Sequence, residues 1–347
     1  MDPSHSASGI VSYTGLMSDR TTWLREGRAW VVETTGPDVD LEIVRERAWG
    51  VIVRVTTPDR VLFFKEPGPN GRHESMVVED IAAGWSGLVP DVLAADHERS
   101  WLLMDDHGSP MWDSLEPQEQ IEILEQILPR YAQMQRASHR LLDRWMAARL
   151  PDRRVERLPE LVDEVLAGGA WIGALPLTRD QRSAVEDTRG FLTRVCDELA
   201  ALPFAAAIDH CDMHGGNVLI GRGAPRIVDW GDACASHPFA SLFVVFQHAV
   251  ARSPQETRRR AALRLRDAYL EPWSDEGSAA DLRTAFAYAT WLGYPIRALN
   301  FVHQMGEADA DSCRKDVAQF FVRWSETRSR LDEPDELVVA IANQTEY

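Results

Sequence analysis

Three polar side chains in the second half of the chain have the types and the spacing that phosphate chemistry requires. Asp212 and Asn217 lie in one polar stretch, and Asp229 closes the short apolar run Ile227-Val228. A turn rich in glycine and proline, residues 221–225, separates them, which predicts a hairpin with the three side chains at one end. In phosphoryl transfer, one carboxylate orients the attacking hydroxyl group and takes its proton. An amide oxygen and a second carboxylate hold magnesium against the phosphates.

The same stretch supports an alternative interpretation, a metal-dependent hydrolase. His210, Asp212 and His214 alternate along the chain, and alternate side chains of a strand share one face, so the three could bind zinc or iron. This alternative gives no role to Asn217 or Asp229, whereas oxygen ligands of this kind suit a hard cation such as magnesium. Phosphoryl transfer is therefore the preferred interpretation.

Lysine is scarce in this sequence, which draws attention to the positions where it remains. Of the 37 lysine and arginine residues, only Lys65 and Lys315 are lysines. A lysine provides a compact, flexible ammonium that the planar guanidinium of arginine does not replace. Lys65 ends an apolar, strand-like run and is a candidate for such a role, whereas Lys315 falls in a charged helical stretch with no assigned role.

The chain before residue 106 has the pattern of an antiparallel sheet with one helix. Three short runs of β-branched and aromatic residues are separated by tight turns, and two more runs follow a helical segment, residues 74–85. The predicted strands are residues 41–45, 51–55, 61–65, 89–93 and 101–104. A further short helix is expected over residues 23–33.

After residue 108 the hydrophobic spacing becomes that of helices. The predicted helices are residues 118–146, 158–166, 182–202 and several between 239 and 330. The sequence therefore predicts an α+β fold with two lobes, a small β-rich N-lobe over residues 21–106 and a larger, mainly helical C-lobe over residues 107–347. Residues 1–20 are polar and rich in small side chains, which predicts a disordered leader.

The polar segment resembles a known family. His210, Asp212 and Asn217 have the H-x-D-x-x-x-x-N spacing of a kinase catalytic loop, and Asp229-Trp230-Gly231 stands where kinases have D-F-G. With His214, the segment is similar to the aminoglycoside phosphotransferase and choline kinase family, whose pattern is H-G-D-x-H-x-x-N followed by I-D-W. The resemblance extends in order over about residues 39–250. It implies a protein-kinase-like fold, whose small lobe has a five-stranded antiparallel sheet and a helix and binds the nucleotide.

The resemblance implies a role for each matching position. Asp212 would be the catalytic base or the group that orients the hydroxyl. His210 would support the loop, and His214 would order it or lie near the phosphate. Asn217 and Asp229 would bind Mg²⁺. The nucleotide-binding positions would be Lys65 at the phosphates, Glu74 as its partner, Trp49 and Gly50 in the phosphate loop, and Met104, Asp105 and Asp106 in the hinge that receives adenine.

Some positions depart from the family pattern or leave a choice open. Glu79 is the alternative to Glu74, because the start of the predicted helix decides which acid faces the lysine. Cys211 replaces a glycine, which is tolerable if the backbone φ there is negative. The glycine-rich loop is reduced to Ala48-Trp49-Gly50. Residues 236–241 lack the acids of the family's G-D-P-x-x-D-like stretch, so a different local scaffold is expected there.

Composition restricts the classes of function. With 54 acidic and 37 basic residues, the formal net charge is −17, which argues against a nucleic-acid partner and permits a cationic or neutral one. The four cysteines have no C-x-x-C spacing, and the N-terminus has no apolar signal segment. The longest apolar run, residues 239–250, is too short to cross a bilayer. The expected protein is cytoplasmic, with reduced thiols and no membrane partner.

The expected function is that of a small-molecule kinase. ATP or GTP would donate the γ-phosphate with Mg²⁺. The acceptor would be a hydroxyl of an antibiotic, either an aminoglycoside or another sugar- or nucleoside-containing compound, in resistance or self-protection. A metabolite kinase acting on choline, a sugar or an amino alcohol is the alternative. A non-catalytic, pseudokinase-like binding protein is an alternative of another class, against which the complete set of Lys65, Asp212, Asn217 and Asp229 argues.

Overall fold

The computed structural model describes residues 20–47, 49–169, 172–305 and 310–344. The predicted leader, residues 1–20, lies outside these ranges except for its last residue, and so does Ala48 of the reduced glycine loop. None of the helices in the described ranges is both long enough and apolar enough to cross a membrane.

The N-terminal part of the fold is built on a five-stranded antiparallel sheet, as the sequence predicts. Its strands are β1 (Asp40–Arg47), β2 (Gly50–Thr56), β3 (Val61–Pro67), β4 (Val92–Asp96) and β5 (Trp101–Asp105), in the order β1-β2-β3-β5-β4. The prediction of a strand over 89–93 was wrong at its start. Leu88 and Val89 are buried, and the Leu88 carbonyl accepts a hydrogen bond from the N–H of Ile227 (2.8 Å), which takes this run out of the sheet.

Two helices cover opposite faces of this sheet. α1 (Arg20–Thr35) is longer than predicted, and its Trp23 stacks on Phe64 of β3 with 5.9 Å between ring centroids. α2 (Glu74–Gly84) packs on the other face, where its apolar side chains join Leu102 of β5. Since successive side chains of a strand alternate between faces, Lys65 points to the α2 side when Phe64 points to α1. β3 therefore carries an ammonium to the start of α2.

The remainder of the chain is mainly helical, which confirms the predicted α+β class. Its helices are α3 (Met111–Ser114), α4 (Pro117–Ser138), α5 (Leu142–Ala147), α6 (Leu158–Leu166), α7 (Arg179–Ala200), α8 (Leu242–Val245), α9 (Gln255–Leu270), α10 (Ala279–Met305), α11 (Ala310–Thr327) and α12 (Pro334–Asn343). The single helix predicted over 118–146 is instead two. α4 ends at Ser138, whose hydroxyl accepts the N–H of Ile208 (3.2 Å) and so ties the break to the next strand.

Short strands within the helical part position the polar loops. They are β6 (Gly108–Pro110), β7 (Ala207–Asp209), β8 (Val218–Gly221), β9 (Arg226–Ile227) and β10 (Cys234–Ser236). β8 pairs with β9 in an antiparallel hairpin and with β6, and β7 pairs with β10. Asp212 and Asn217 precede β8, and Asp229 follows β9, so the predicted hairpin brings the three residues to one end.

The close approach of the β6 and β8 backbones can be tested at Gly108. Its φ is +106°, and a Cβ there would lie 2.0 Å from the Ile220 carbonyl oxygen. We expect Gly108→Ala to lower the free energy of unfolding by more than about 2 kcal/mol in urea, because backbone strain and the clash add. Gly84→Ala, where a Cβ meets nothing within 4 Å, should be neutral or slightly stabilising. A similar small change in both variants would contradict the expected clash.

Candidate active site

The ammonium of Lys65 joins the two parts of the fold. Its Nζ donates to Glu74 Oε1 at the start of α2 and to Asp229 Oδ1 after β9, each at 2.6 Å. Burial alone would lower the pKa of Lys65, but Asp229 and Glu74 outweigh it and raise that pKa above its ordinary value. Glu79 instead lies 2.9 Å from His97. The structure thus places Glu74, and not Glu79, beside the lysine.

The start of α2 also holds the backbone that follows Asp229. Glu74 Oε1 accepts the N–H of Trp230 (2.9 Å), and His73 Nε2 donates to the carbonyl of Trp230 (3.2 Å). Asp229 has a left-handed backbone with φ of +66°. Such a conformation is unfavourable for an aspartate unless its surroundings impose it, and these two buried contacts do so.

Both ring nitrogens of His210 make hydrogen bonds to the backbone of the two polar loops. Its Nε2 donates to the carbonyl of Val228 (2.9 Å), and its Nδ1 accepts the N–H of Asp212 (3.3 Å). Complete burial lowers the pKa of His210 to about 4, so the ring is neutral at pH 7. Since both ring nitrogens are engaged, His210 cannot bind a metal without losing these bonds, which disfavours the hydrolase interpretation.

Asp212 lies at the centre of a charged cluster. Its Oδ1 accepts from Nη2 of Arg297 (2.6 Å), and its Oδ2 accepts from the amide nitrogen of Asn217 (3.1 Å). His214 Nε2 is 3.5 Å from the same Oδ2, and its ring stacks on Trp112 at 4.6 Å. Burial would raise the pKa of Asp212, but Arg297 and His214 hold it well below its usual range. The carboxylate is therefore ionised at neutral pH.

The donor atoms between the two loops fit magnesium. The amide nitrogen of Asn217 donates to the carbonyl and Oδ2 of Asp212, which fixes the orientation of the amide. The amide oxygen of Asn217 and the carboxylate of Asp229 are the oxygens that could bind a cation. Burial and the charge of Asp212 raise the pKa of Asp229, although Lys65 outweighs both and holds that pKa below its ordinary value. A divalent cation bound by these oxygens would offset the repulsion between the carboxylates.

The condition under which cysteine at position 211 would be free of backbone strain is not met. Its φ is +60°, a left-handed backbone that glycine adopts without strain and cysteine does not. The cysteine is held there by three contacts. Its N–H donates to Asp209 (2.8 Å), its carbonyl accepts from Arg297 (3.1 Å), and its sulfur lies 3.2 Å from that of Cys234.

Asp209 supplies a buried acid to residues 236–241, a segment that itself has none. Its carboxylate is buried and accepts hydrogen bonds from the hydroxyl groups of Ser241 (2.7 Å) and Ser236 (3.2 Å), besides the N–H of Cys211. Asp209, Cys211 and Cys234 are also the one group in the described ranges with the spacing of a metal site. Since three donors already bind the carboxylate, we interpret the group as part of the scaffold. The sequence signal for this buried acid was its position directly before His210.

The positions expected to receive the nucleotide lie near opposite ends of β3, since Gly50 pairs with Pro67 at its end and Asp105 pairs with Leu62 near its start. Trp49 is 44% exposed in the β1–β2 turn, and a Cβ on Gly50 would lie 2.8 Å from a β3 carbonyl, so the turn closes on the end of that strand. Met104 and Asp105 end β5. The N–H groups of Asp105 and Asp106 donate to other backbone carbonyls (3.0 and 3.3 Å), so adenine could use them only after they change partners.

Sequence reasoning missed Arg297 of α10, which contacts Asp212 and Cys211 and also donates to Asp232 Oδ2 (3.0 Å). Burial raises the pKa of Asp232 to about 6 despite the arginine. The only local signal was a basic residue within the apolar run 285–300 of a predicted helix. Nothing in the sequence indicates which loop such an arginine would reach.

Comparisons with known proteins show the family of this chain and solved structures of similar fold. Residues 50–284 match the model of the phosphotransferase enzyme family. The fold is similar to a choline/ethanolamine kinase family protein from Mesorhizobium loti (TM-score 0.58, 20% identity, 92% of this chain and 99% of that chain covered). It is also similar to Plasmodium vivax ethanolamine kinase (TM-score 0.62, 9% identity, 90% and 91% covered). A third similar structure is spectinomycin phosphotransferase in complex with ADP and spectinomycin (TM-score 0.50, 12% identity, 92% and 98% covered).

No curated protein matches the sequence significantly. The kinase-like fold and the family resemblance that the polar segment predicted are confirmed by these matches.

His237 lies in the segment 236–241 beside Asp209, and its burial as a neutral ring can be tested by the pH dependence of stability. Its Nδ1 accepts the N–H of Phe239 (3.3 Å), and burial lowers its pKa from 6.5 to about 3. At pH 5 the unfolded chain binds a proton that the folded chain excludes, so this histidine costs stability as the pH falls below about 6.5. His237→Asn keeps an acceptor there. Between pH 7.5 and pH 5, the free energy of unfolding in urea should therefore fall by about 2 kcal/mol less in the variant than in the wild type.

The exposed His139 provides the control, since His139→Asn should leave the pH dependence of stability as it is in the wild type. If His237→Asn and the wild type lost the same free energy on acidification, the burial of a neutral His237 would be refuted.

Proposed function

Because this chain belongs to the phosphotransferase enzyme family, we propose that it transfers the γ-phosphate of ATP or GTP to a hydroxyl group of a small molecule. The observation that carries the proposal is the pairing of Lys65 with Asp229 across the two parts of the fold, with ionised Asp212 on the neighbouring loop. A phosphate-binding cation and two separate carboxylates are the groups that in-line phosphoryl transfer uses.

Each side chain then has a separate task. Asp212 orients the acceptor hydroxyl and receives its proton as the new O–P bond forms. The bond between the γ-phosphorus and the β-phosphate oxygen breaks in the same step, and ADP or GDP leaves. Lys65 binds the α- and β-phosphates, and Glu74 holds the lysine in place. Asn217 and Asp229 would hold Mg²⁺, which when bound neutralises charge on the phosphate oxygens. Since the motif places no cysteine or serine as a nucleophile, transfer is direct, without a phosphoenzyme.

The acceptor that we propose is an antibiotic with a sugar or nucleoside part, whose phosphorylation in the cytoplasm would give resistance or self-protection. Spectinomycin phosphotransferase, a similar fold, binds such a compound. The alternative is a metabolite such as choline, a sugar or an amino alcohol, in keeping with the choline/ethanolamine kinase family protein and the ethanolamine kinase of similar fold. An acceptor panel separates the two.

Asp212→Asn tests the proposed chemistry. Purified protein with Mg-ATP or Mg-GTP is given a panel of aminoglycosides, nucleoside antibiotics, choline and amino alcohols, and ADP or GDP release is measured. We expect the variant to lose at least about 100-fold in transfer rate, since the amide cannot take the proton. It should still bind Mg-nucleotide in calorimetry. An unchanged rate in the variant would remove Asp212 from the reaction, and the absence of transfer by the wild type would refute the proposed function.

Glu74→Gln and Glu79→Gln form a matched pair on one helix. Glu74 is buried against Lys65, whereas Glu79 is part of an exposed contact with His97. Glu74→Gln should raise the KM for nucleotide and lower kcat, together about 10-fold or more in kcat/KM, because the buried lysine loses one of its two acid partners. Glu79→Gln should remain within about twofold of the wild type. Equal effects of the two changes would contradict the pairing.

A further inference from the structure

Arg297 joins the loop that holds Asp212 to the segment that follows Asp229. Its side chain is only 13% exposed and lies on the inward face of α10. Nη2 donates to Asp212 Oδ1 (2.6 Å), while Nη1 donates to the carbonyl of Cys211 (3.1 Å) and to Asp232 Oδ2 (3.0 Å). One planar guanidinium thus fixes two loops at once, which a lysine ammonium would do less well.

The same face of α10 makes two further contacts with this segment. Asn300 donates to the carbonyl of Asp232 (2.9 Å), and Gln304 donates to the carbonyl of Gly231 (2.6 Å). These residues follow Arg297 by three and seven positions, so all three lie on one side of the helix. The helix itself is buried over most of its length, and Gly293 lies directly against Phe243. α10 is therefore a rigid support from which Arg297 reaches the loops.

We propose that Arg297 is a positioning residue, which acts through Asp212 and fixes the direction of its carboxylate relative to the Asp229–Asp232 segment. The inference rests on the proposed function, since it assigns the direction of a carboxylate that orients the attacking hydroxyl. Misplacement of a reacting group by about 1 Å can cost about 100-fold in rate. The loss of Arg297 should therefore appear in kcat more than in the binding of nucleotide.

Two other roles for Arg297 predict different results. If it bound the acceptor or the nucleotide directly, its removal would raise a KM and leave kcat largely unchanged. If it served only to stabilise the fold, its removal would lower the unfolding midpoint without changing the kcat of the protein that remains folded. A lower kcat with little change in KM therefore distinguishes the positioning role from direct ligand binding and from a purely stabilising role.

The test compares Arg297→Met, Arg297→Lys and Arg283→Met, where Arg283 is an exposed arginine of the same helix. The probe is Mg-ATP with water as the acceptor, because Asp212 would orient water as it orients a hydroxyl. Arg297→Met should lower the kcat of hydrolysis about 10- to 100-fold with the KM for ATP within about threefold. Arg297→Lys should recover part of this loss, and Arg283→Met should match the wild type.

Asp232→Asn tests the other end of the contact. Because Asp232 holds the guanidinium that in turn holds Asp212, the kcat losses from Asp232→Asn and Arg297→Met should be less than additive in the double variant. Fully additive losses would overturn the proposal, since they would mean that the two residues act independently.

Hydrogen exchange gives a readout that does not depend on turnover. Arg297→Met should speed amide exchange in peptides covering residues 210–217, where the guanidinium holds the Cys211 carbonyl, and leave peptides of β1 to β3 unchanged. If the wild type hydrolyses neither ATP nor GTP, the exchange measurement alone decides the inference, while the proposed function is decided separately by transfer to the acceptor panel. An unchanged kcat in Arg297→Met, or unchanged exchange over 210–217, would overturn the inference.

Discussion

The buried ammonium of Lys65 is the contact on which the arrangement of the site depends. The sheet supplies the lysine, α2 supplies Glu74, and the hairpin supplies Asp229, with 2.6 Å from the nitrogen to each acid. Removal of one partner from a buried charge cluster leaves the others uncompensated, at a cost well above that of a surface ion pair. Sheet, helix and hairpin are thus held in one relative position by a charge balance among three residues.

The strain in the two polar loops is balanced by contacts from other elements. Cys211 and Asp229 are both non-glycine residues with left-handed backbone, at φ of +60° and +66°. The buried carboxylate of Asp209 accepts the N–H of Cys211, and Glu74 accepts the N–H that follows Asp229. Conformations of this kind persist only where the surroundings determine them, and here the strained residues are those that direct the side chains of the site.

The sequence predicted the parts of the site that are close along the chain. The spacing of Asp212 and Asn217 and the turn before Asp229 are local features, and the structure brings these residues together as expected. Arg297 meets Asp212 across 85 positions, and Asp209 meets Ser241 across 32, so no local pattern could connect them. The α+β class followed from periodicity, whereas the later start of β4 depended on a contact between Leu88 and Ile227 that only tertiary structure creates.

The net charge of −17 says little about what the acceptor meets in the site. A hydroxyl held by Asp212 would lie within a few ångströms of Arg297, whose nitrogen is 2.6 Å from the same carboxylate. The acid nearest the reaction is therefore already neutralised by its own protein partner. Charges elsewhere on the surface are screened within about 8 Å at physiological salt. Selectivity between a cationic and a neutral acceptor must then arise from the groups that line the pocket and from its shape, and not from the acidity of the whole chain.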